Sequence, residues 1–238
     1  VGRRSMQLGL SQDTLEYFNS EAIKPEKVKT IEIGYRGIWF DKLYLDVSGY
    51  KSWYQDFIGY RIGIDSEFDI FGFPQGPQVF RIAANAESIV QTQGLSAGIN
   101  YFYVKKHAIN ANYSYNQLTS GDNDEIIPAY NTPKHKYNVG ISGRDITLPV
   151  LKFGQWGYSL NYRWVQGFEF EGSPQFSGVI ESYGLLNAQI NYSIPKWYVT
   201  IKGGASNLFN NQVYQVYGGP RIGRLSYISL IFDWNKVY

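Results

Sequence analysis

The chain has 238 residues, with 22 Lys or Arg against 20 Asp or Glu and a formal net charge of +2. Charges of both signs are spread along the chain, so no basic block indicates nucleic-acid binding. The absence of Cys excludes disulfides and thiolate metal sites. No run of 18 apolar residues occurs, which excludes a transmembrane helix by the usual criterion.

Alternation of apolar and polar residues predicts about nine β-strands and no helix of useful length. In the first strand, for example, Ile31 and Ile33 alternate with Thr30 and Glu32. The predicted strands, in chain order, are Val28–Trp39, Leu43–Phe57, Ile89–Tyr103, Ala108–Leu118, Lys136–Asp145, Phe153–Phe168, Tyr183–Ile194, Trp197–Phe209 and Leu225–Trp234.

The polar face of these strands is rich in amides, as in residues 187–192, where Asn and Gln alternate with apolar side chains. A soluble sandwich also alternates, but its water-exposed face usually carries more Lys and Glu. A transmembrane barrel instead turns its apolar face to lipid and keeps a polar lumen. The composition of the polar face favours the barrel.

The predicted connections alternate between short and long. Short ones fall at 41–42, 105–106, 147–149 and 195–196, and long ones at 59–88, 119–135, 169–182 and 210–224. Short periplasmic turns and long outer loops are typical of outer-membrane barrels. On this topology residues 1–25 precede the first strand on the outer side. A complete single-chain barrel has an even strand count with both termini inside, so we expect further upstream strands.

Strand parity also yields candidate site residues. Glu32, Arg36, Asp46 and Arg163 are the charged residues predicted to face the lumen. They could pair with one another and rigidify the wall, or, as the family resemblance described below implies, face a plug or the permeation path. Both interpretations remain open at this stage.

Aromatic residues make up 17% of the chain, more than a soluble core needs. Their positions near strand ends predict two interfacial girdles, although ordinary sheet aromatics are the alternative. The predicted girdle residues are Trp39, Trp53, Tyr101, Trp164, Trp197 and Trp234.

We expect no catalytic, cofactor-binding or metal site. The chain has two His, His107 and His135, and the predicted topology separates them by roughly 30 Å, at about 3.3 Å per strand residue. Neither can form a triad or a transition-metal site with a second His or Cys. The glycine-rich stretch 218–223 precedes a strand, so no phosphate cradle is expected there.

Four stretches resemble the C-terminal half of TonB-dependent outer-membrane receptors. They are KPEKVKTIEIGYRG at 24–37, NTPKHKYNVG at 131–140, ASNLFN at 205–210, and GPRIGR at 219–224 leading into the last strand. The resemblance implies that residues 1–238 are the C-terminal portion of one barrel of about 22 strands, with its plug and upstream strands outside this chain. No TonB box is found in the sequence.

The resemblance further implies an active transporter in the outer membrane of a Gram-negative bacterium. Such a transporter binds a scarce nutrient (an iron chelate, cobalamin, glycan or peptide) and imports it with energy passed on by TonB. Its expected partners are outer-membrane lipid, the remaining strands and plug, TonB and the nutrient. Two alternatives stay open: a small outer-membrane adhesin or passive pore, and a soluble carbohydrate-binding β-sandwich.

Overall fold

The computed structural model describes residues 22–71, 74–119, 130–148, 153–170 and 177–233. Within these ranges, no helix is long and apolar enough to cross a membrane.

The main element is a nine-stranded sheet with the order β1-β2-β5-β6-β7-β8-β11-β12-β13. Its strands are β1 (Lys27–Trp39), β2 (Leu43–Gln55), β5 (Val90–Val104), β6 (His107–Leu118), β7 (His135–Ile146), β8 (Gln155–Val165), β11 (Tyr183–Ile194), β12 (Val199–Ser206) and β13 (Leu225–Phe232). Each consecutive pair from β6 to β13 in this order is antiparallel. The predicted all-β, antiparallel fold class and the nine strands of this sheet are confirmed.

Four further strands were not predicted. β3 (Ile58–Phe68) pairs with β4 (Pro74–Asn85), and β9 (Phe168–Phe170) pairs with β10 (Gly178–Ile180). Residues 59–88 and 169–182 were expected to be loops, and that prediction was wrong. The alternation of Ile58, Tyr60, Ile62 and Ile64 was the available signal for β3. The Gly- and Pro-containing stretch 72–77, typical of loops, obscured this signal.

The connections separate by length, as predicted. The connection between β1 and β2 spans residues 40–42, and Pro195–Trp197 forms a single 3-10 turn between β11 and β12. The connections after β2, β6, β8 and β12 are long, and two of them contain the β3–β4 and β9–β10 hairpins. We call the end of the sheet with the long connections the loop end and the opposite end the turn end.

The chain divides into two compact units. The first comprises the described residues of Val1–Thr30, Ser52–Thr92 and Leu118–Pro128, and the second those of Ile31–Lys51, Gln93–Gln117 and Ala129–Tyr238. In the first unit, Ala86 and Val90 are buried against four partly buried hydrophobic residues, Tyr54, Phe57, Ala84 and Leu118. The small core therefore lies where the β3–β4 hairpin joins the sheet strands.

In the second unit the apolar side chains of the strand centres are exposed. Ile33 is 76% exposed, Ile190 is 53% exposed and Ile228 is 88% exposed. The register places Ile190 opposite Gly203 and Gly203 opposite Ile228, so one face of adjacent strands carries these groups. We call it the apolar face and the opposite one the polar face. Monomeric soluble proteins rarely expose so much contiguous apolar surface.

Candidate functional site

Amide side chains form rows across the polar face of the second unit. Asn110 lies opposite Gly140, which lies opposite Asn161, and Asn161 lies opposite Asn187. A Cβ placed on Gly140 would come within 2.6 Å of Asn110 Oδ1 and 2.9 Å of Asn161 Nδ2, so the two amides close over the glycine. Alternation places each of these amides on the polar face of its own strand, and the register between strands brings them together.

A second amide row runs parallel to the first. It contains Asn112 opposite Asn138, with Asn138 opposite Arg163. A third row pairs Ser159 with Gln189, whose Oε1 accepts a 2.7 Å hydrogen bond from the Tyr227 hydroxyl. The polar face thus offers neutral donors and acceptors at successive levels along the strands.

The charge on this face is of one sign from β6 to β13. At the paired positions, the charged side chains with polar-face parity are Lys136, Arg163 and Lys202, and no Asp or Glu occurs among them. Lys136 lies opposite Val165, two residues from Arg163 on the same strand. Such diagonal neighbours are about 7–8 Å apart, close enough for both cations to act on one anion.

The four charged residues predicted to face the lumen are in different settings. Arg36 and Asp46 pair with each other, with Asp46 Oδ2 2.8 Å from Arg36 Nη2 and 2.9 Å from Arg36 Nε. Arg163 Nη2 donates to Gln215 Oε1 in the β12–β13 connection at 3.5 Å. Glu32 is exposed on β1. Mutual pairing, one of the two interpretations left open, applies to Arg36 and Asp46. A role in permeation remains a prediction for all four.

Aromatic rings on the apolar face cluster near both strand ends. At the turn end, His107 lies 5.8 Å from both Tyr103 and Tyr158, and its Nδ1 shares a 2.9 Å hydrogen bond with the Tyr158 hydroxyl. At the loop end, His135 lies 5.1 Å from Tyr115 and its Nδ1 shares a 2.7 Å hydrogen bond with another hydroxyl, that of Tyr113. Sequence reasoning treated the two His separately and did not find these ring clusters.

The six predicted girdle residues have different contacts in the structure. Tyr101 lies 6.4 Å from Tyr103, and Trp164 stacks on Tyr137 at 5.3 Å. Trp39 Nε1 donates to the hydroxyl of Tyr35, four residues before it. The others are Trp53, which is partly buried in β2, Trp197, which is exposed in the 3-10 turn, and Trp234, which lies outside the described residues. Their interfacial role stays a prediction.

A small apolar core occupies the loop end of the second unit. Ile180 of β10 is 1% exposed and packs with Val165, Tyr183 and Leu185, all three of which have polar-face parity. Phe168, Phe170 and Val213 pack around this core. The β9–β10 hairpin and the β12–β13 connection are therefore anchored on the polar-face side of the strand ends.

The turn that follows β12 is held by two asparagines. Asn207 is 5% exposed, its Nδ2 donates to the carbonyls of Asn211 and Ile222, and its Oδ1 accepts from the Asn211 N–H. Asn210 Oδ1 accepts from the backbone N–H of Arg224. Both asparagines have positive φ, 50° and 56°, which Asn tolerates better than most residues. The two side chains therefore satisfy backbone groups of this connection.

Comparison with protein families gives a match to "TonB dependent receptor-like, beta-barrel" over residues 6–208. Because the match covers most of the chain, the protein belongs to the TonB-dependent receptor β-barrel family. The predicted family is confirmed. Comparison with curated protein sequences gives no significant match.

Three solved structures illustrate the shared fold. "Copper transporter OprC" is 18% identical with a TM-score of 0.63, over 88% of this chain and 32% of that one. The FrpB iron transporter from Neisseria meningitidis (F3-3 variant) is 13% identical with a TM-score of 0.62, over 89% and 32%. The ferric yersiniabactin uptake receptor FyuA from Yersinia pestis is 13% identical with a TM-score of 0.60, over 86% and 28%.

The chain spans about a third of the length of these structures. At such identities the likeness is one of fold. The family and its structural neighbours are transporters and receptors and not enzymes. Within the described ranges, no three His, Asp or Glu side chains come together as possible metal ligands.

Proposed function

We propose that this chain forms the C-terminal portion of one β-barrel in an active transporter of the Gram-negative outer membrane. The observation that carries the proposal is the two-faced sheet, with exposed aliphatic side chains on one face and amides and cations on the other. A lipid-facing wall and a wet lumen require this division. The strand order supports a larger barrel, because β1 and β13 are the two edge strands of the sheet. An unpaired edge in lipid leaves backbone groups without hydrogen bonds, so both edges require further strands.

The proposed partners follow from the family. The remaining strands, to about 22 in all, complete the barrel, and a plug domain fills its lumen. TonB supplies the energy. The substrate is a scarce nutrient, which could be an iron chelate, cobalamin, a glycan or a peptide.

The charge of the polar face from β6 to β13 favours an anionic solute within this choice. Lys136, Arg163 and Lys202 present three cations with no acidic residue at the paired polar-face positions from β6 to β13. Clefts lined by one sign of charge raise the local concentration of the opposite charge. Anionic chelates and acidic oligomers therefore fit this wall better than neutral glycans do.

The test uses the protein that carries this chain, in a Gram-negative host lacking its own copy. Uptake of labelled iron chelates, cobalamin, oligosaccharides and peptides is measured with and without TonB. We expect TonB-dependent uptake of one anionic class, reduced at least tenfold in the double variant Arg163→Glu/Lys202→Glu. The matched control, Arg163→Lys/Lys202→Arg, keeps the charge and should retain uptake.

Two outcomes would contradict the proposal. TonB-independent flux of many small solutes would support the passive-pore alternative. TonB-dependent uptake of a neutral substrate, unchanged by the charge reversal, would keep the transporter but reject the anionic substrate class, and would indicate that these cations serve the plug or the wall.

A further inference from the structure

The apolar face of the second unit contains a groove of about 600 Å³ that crosses β1, β2, β5 and β6. Its floor lies at Gly49 of β2. Val47, Gly49 and Lys51 are successive residues of β2 on the apolar face. A Cβ placed on Gly49 would meet nothing closer than Gly94 O at 3.6 Å and Leu95 Cδ1 at 3.7 Å. A side chain added at Gly49 would therefore extend into open space without a close contact at its Cβ.

The two walls of the groove are aliphatic. Ile31 and Ile33 of β1 form one side and are 61% and 76% exposed, and Leu95 of β5 forms the other and is 46% exposed. These side chains lie on the apolar face, which the proposed function turns toward lipid. An alkyl chain lying over Gly49 would contact all three side chains and gain dispersion energy along its length.

The loop end of the groove is polar. Lys51, Gln93 and Tyr115 line it there. Gln93 Nε2 donates to Gln117 Oε1 at 3.4 Å, and the Tyr115 hydroxyl donates to the same oxygen. Lys51 is the single Lys, Arg, Asp or Glu at an apolar-face position in the described main-sheet strands of the second unit. This count leaves out the residues of β7 after Gly143, where a bulge changes the alternation.

We propose that this groove binds one phosphorylated lipid of the outer leaflet. An acyl chain lies over Gly49 between the two aliphatic walls, and the phosphate lies at the Lys51 ammonium, with Gln93 beside it. The order of the contacts matches the lipid, because the apolar part of the groove lies toward the strand centres and its cation toward the loop end. This inference rests on the membrane placement in the proposed function and assigns a lipid site that transport does not require.

The test is native mass spectrometry of the protein that carries this chain, released from vesicles of 30% phosphatidylglycerol in phosphatidylcholine. We expect one retained phosphatidylglycerol, preferred about tenfold over phosphatidylcholine. Gly49→Leu fills the groove and should reduce retention of both lipids at least fivefold. Lys51→Gln should keep the acyl site but bring the preference for phosphatidylglycerol close to one.

Gly203→Leu is the matched control. Gly203 is another apolar-face glycine, with nothing within 4 Å of an added Cβ, and it does not line the groove over Gly49. This variant should retain lipid as the unmodified protein does. Equal retention in Gly49→Leu and Gly203→Leu would overturn the proposal. Loss of bound phosphatidylglycerol to millimolar inorganic phosphate would also overturn it, since that result indicates an anion site without an acyl component.

A separate measurement distinguishes failure of the lipid site from failure of the proposed membrane placement. Val216 lies in the β12–β13 connection and Lys196 in the 3-10 turn between β11 and β12, and both are exposed. In intact cells, Val216→Cys should react with an impermeant maleimide and Lys196→Cys should not. Correct labelling without lipid retention rejects the groove alone, whereas reversed labelling rejects the orientation on which both proposals rest.

Discussion

The strand centres of the second unit carry their apolar side chains on the apolar face, whereas the loop end also buries apolar side chains on the polar face. At the centres, Ile190 and Ile228 are exposed on the apolar face, and the polar face carries amides. At the loop end, Val165, Tyr183 and Leu185 have polar-face parity and are buried under the β9–β10 hairpin. Along one strand, the side chains of the polar face are therefore amides at the centre and buried apolar groups at the loop end.

The reason for the difference is what covers each face. Strand centres have no protein layer over the apolar face among the described residues, and in the proposed membrane lipid tails would replace it. At the loop end the connections fold back on the strands and supply apolar partners of their own. The hydrophobic effect is non-directional, so it favours whichever face can be removed from water.

The largest expected effect comes from opening the loop-end core. Ile180→Ala removes a side chain that is 1% exposed and should destabilise the β9–β10 hairpin by about 2–5 kcal/mol. Hydrogen exchange of peptides covering 168–180, followed by mass spectrometry, should show faster exchange there. Val179→Ala, at a neighbouring residue that is 70% exposed, is the control and should leave exchange unchanged. Equal exchange in the two variants would show that the hairpin is not anchored by Ile180.

The second prediction compares the apolar and polar faces at the strand centres. Ile190→Arg would turn a cation toward lipid and should cost about 2–4 kcal/mol near the bilayer midplane. Gln189→Arg, one residue away on the polar face, should cost only the hydrogen bond from Tyr227, about 0.5–1.5 kcal/mol. Urea unfolding of the protein in lipid vesicles provides the comparison. Similar losses for both variants would mean that the two faces do not differ in surroundings.

The smallest expected effect concerns the Arg36–Asp46 pair on the polar face. The side chains are 70% and 34% exposed, so in a wet lumen their coupling should be weak and should decrease with added salt. A double-mutant cycle of Arg36→Ala and Asp46→Ala, measured at low and high salt, gives the coupling. A strong, salt-independent coupling would indicate that this part of the polar face is dry.

Local alternation was sufficient to predict the strands of the nine-stranded sheet, because parity is a property of neighbouring residues. It located β6 as Ala108–Leu118 against the observed His107–Leu118, and β11 as Tyr183–Ile194 without change. The separation of short from long connections was predicted in the same way, because the connections are the segments between the strands located by alternation. The polar-face parity of Arg36 and Asp46 was predictable for the same reason, although their mutual contact was one of two open interpretations.

What the sequence by itself determined about this protein is the two-faced strand pattern and, through four motifs, its family. Tertiary structure alone decided which residues on a shared face come into contact. The row Asn110–Gly140–Asn161–Asn187, the core around Ile180 and the groove over Gly49 each join segments that are distant in the chain. Their formation depends on strand register and on the path of the connections. Register is a relation between strands, set by the pairing of whole hairpins, and no single stretch of residues encodes it.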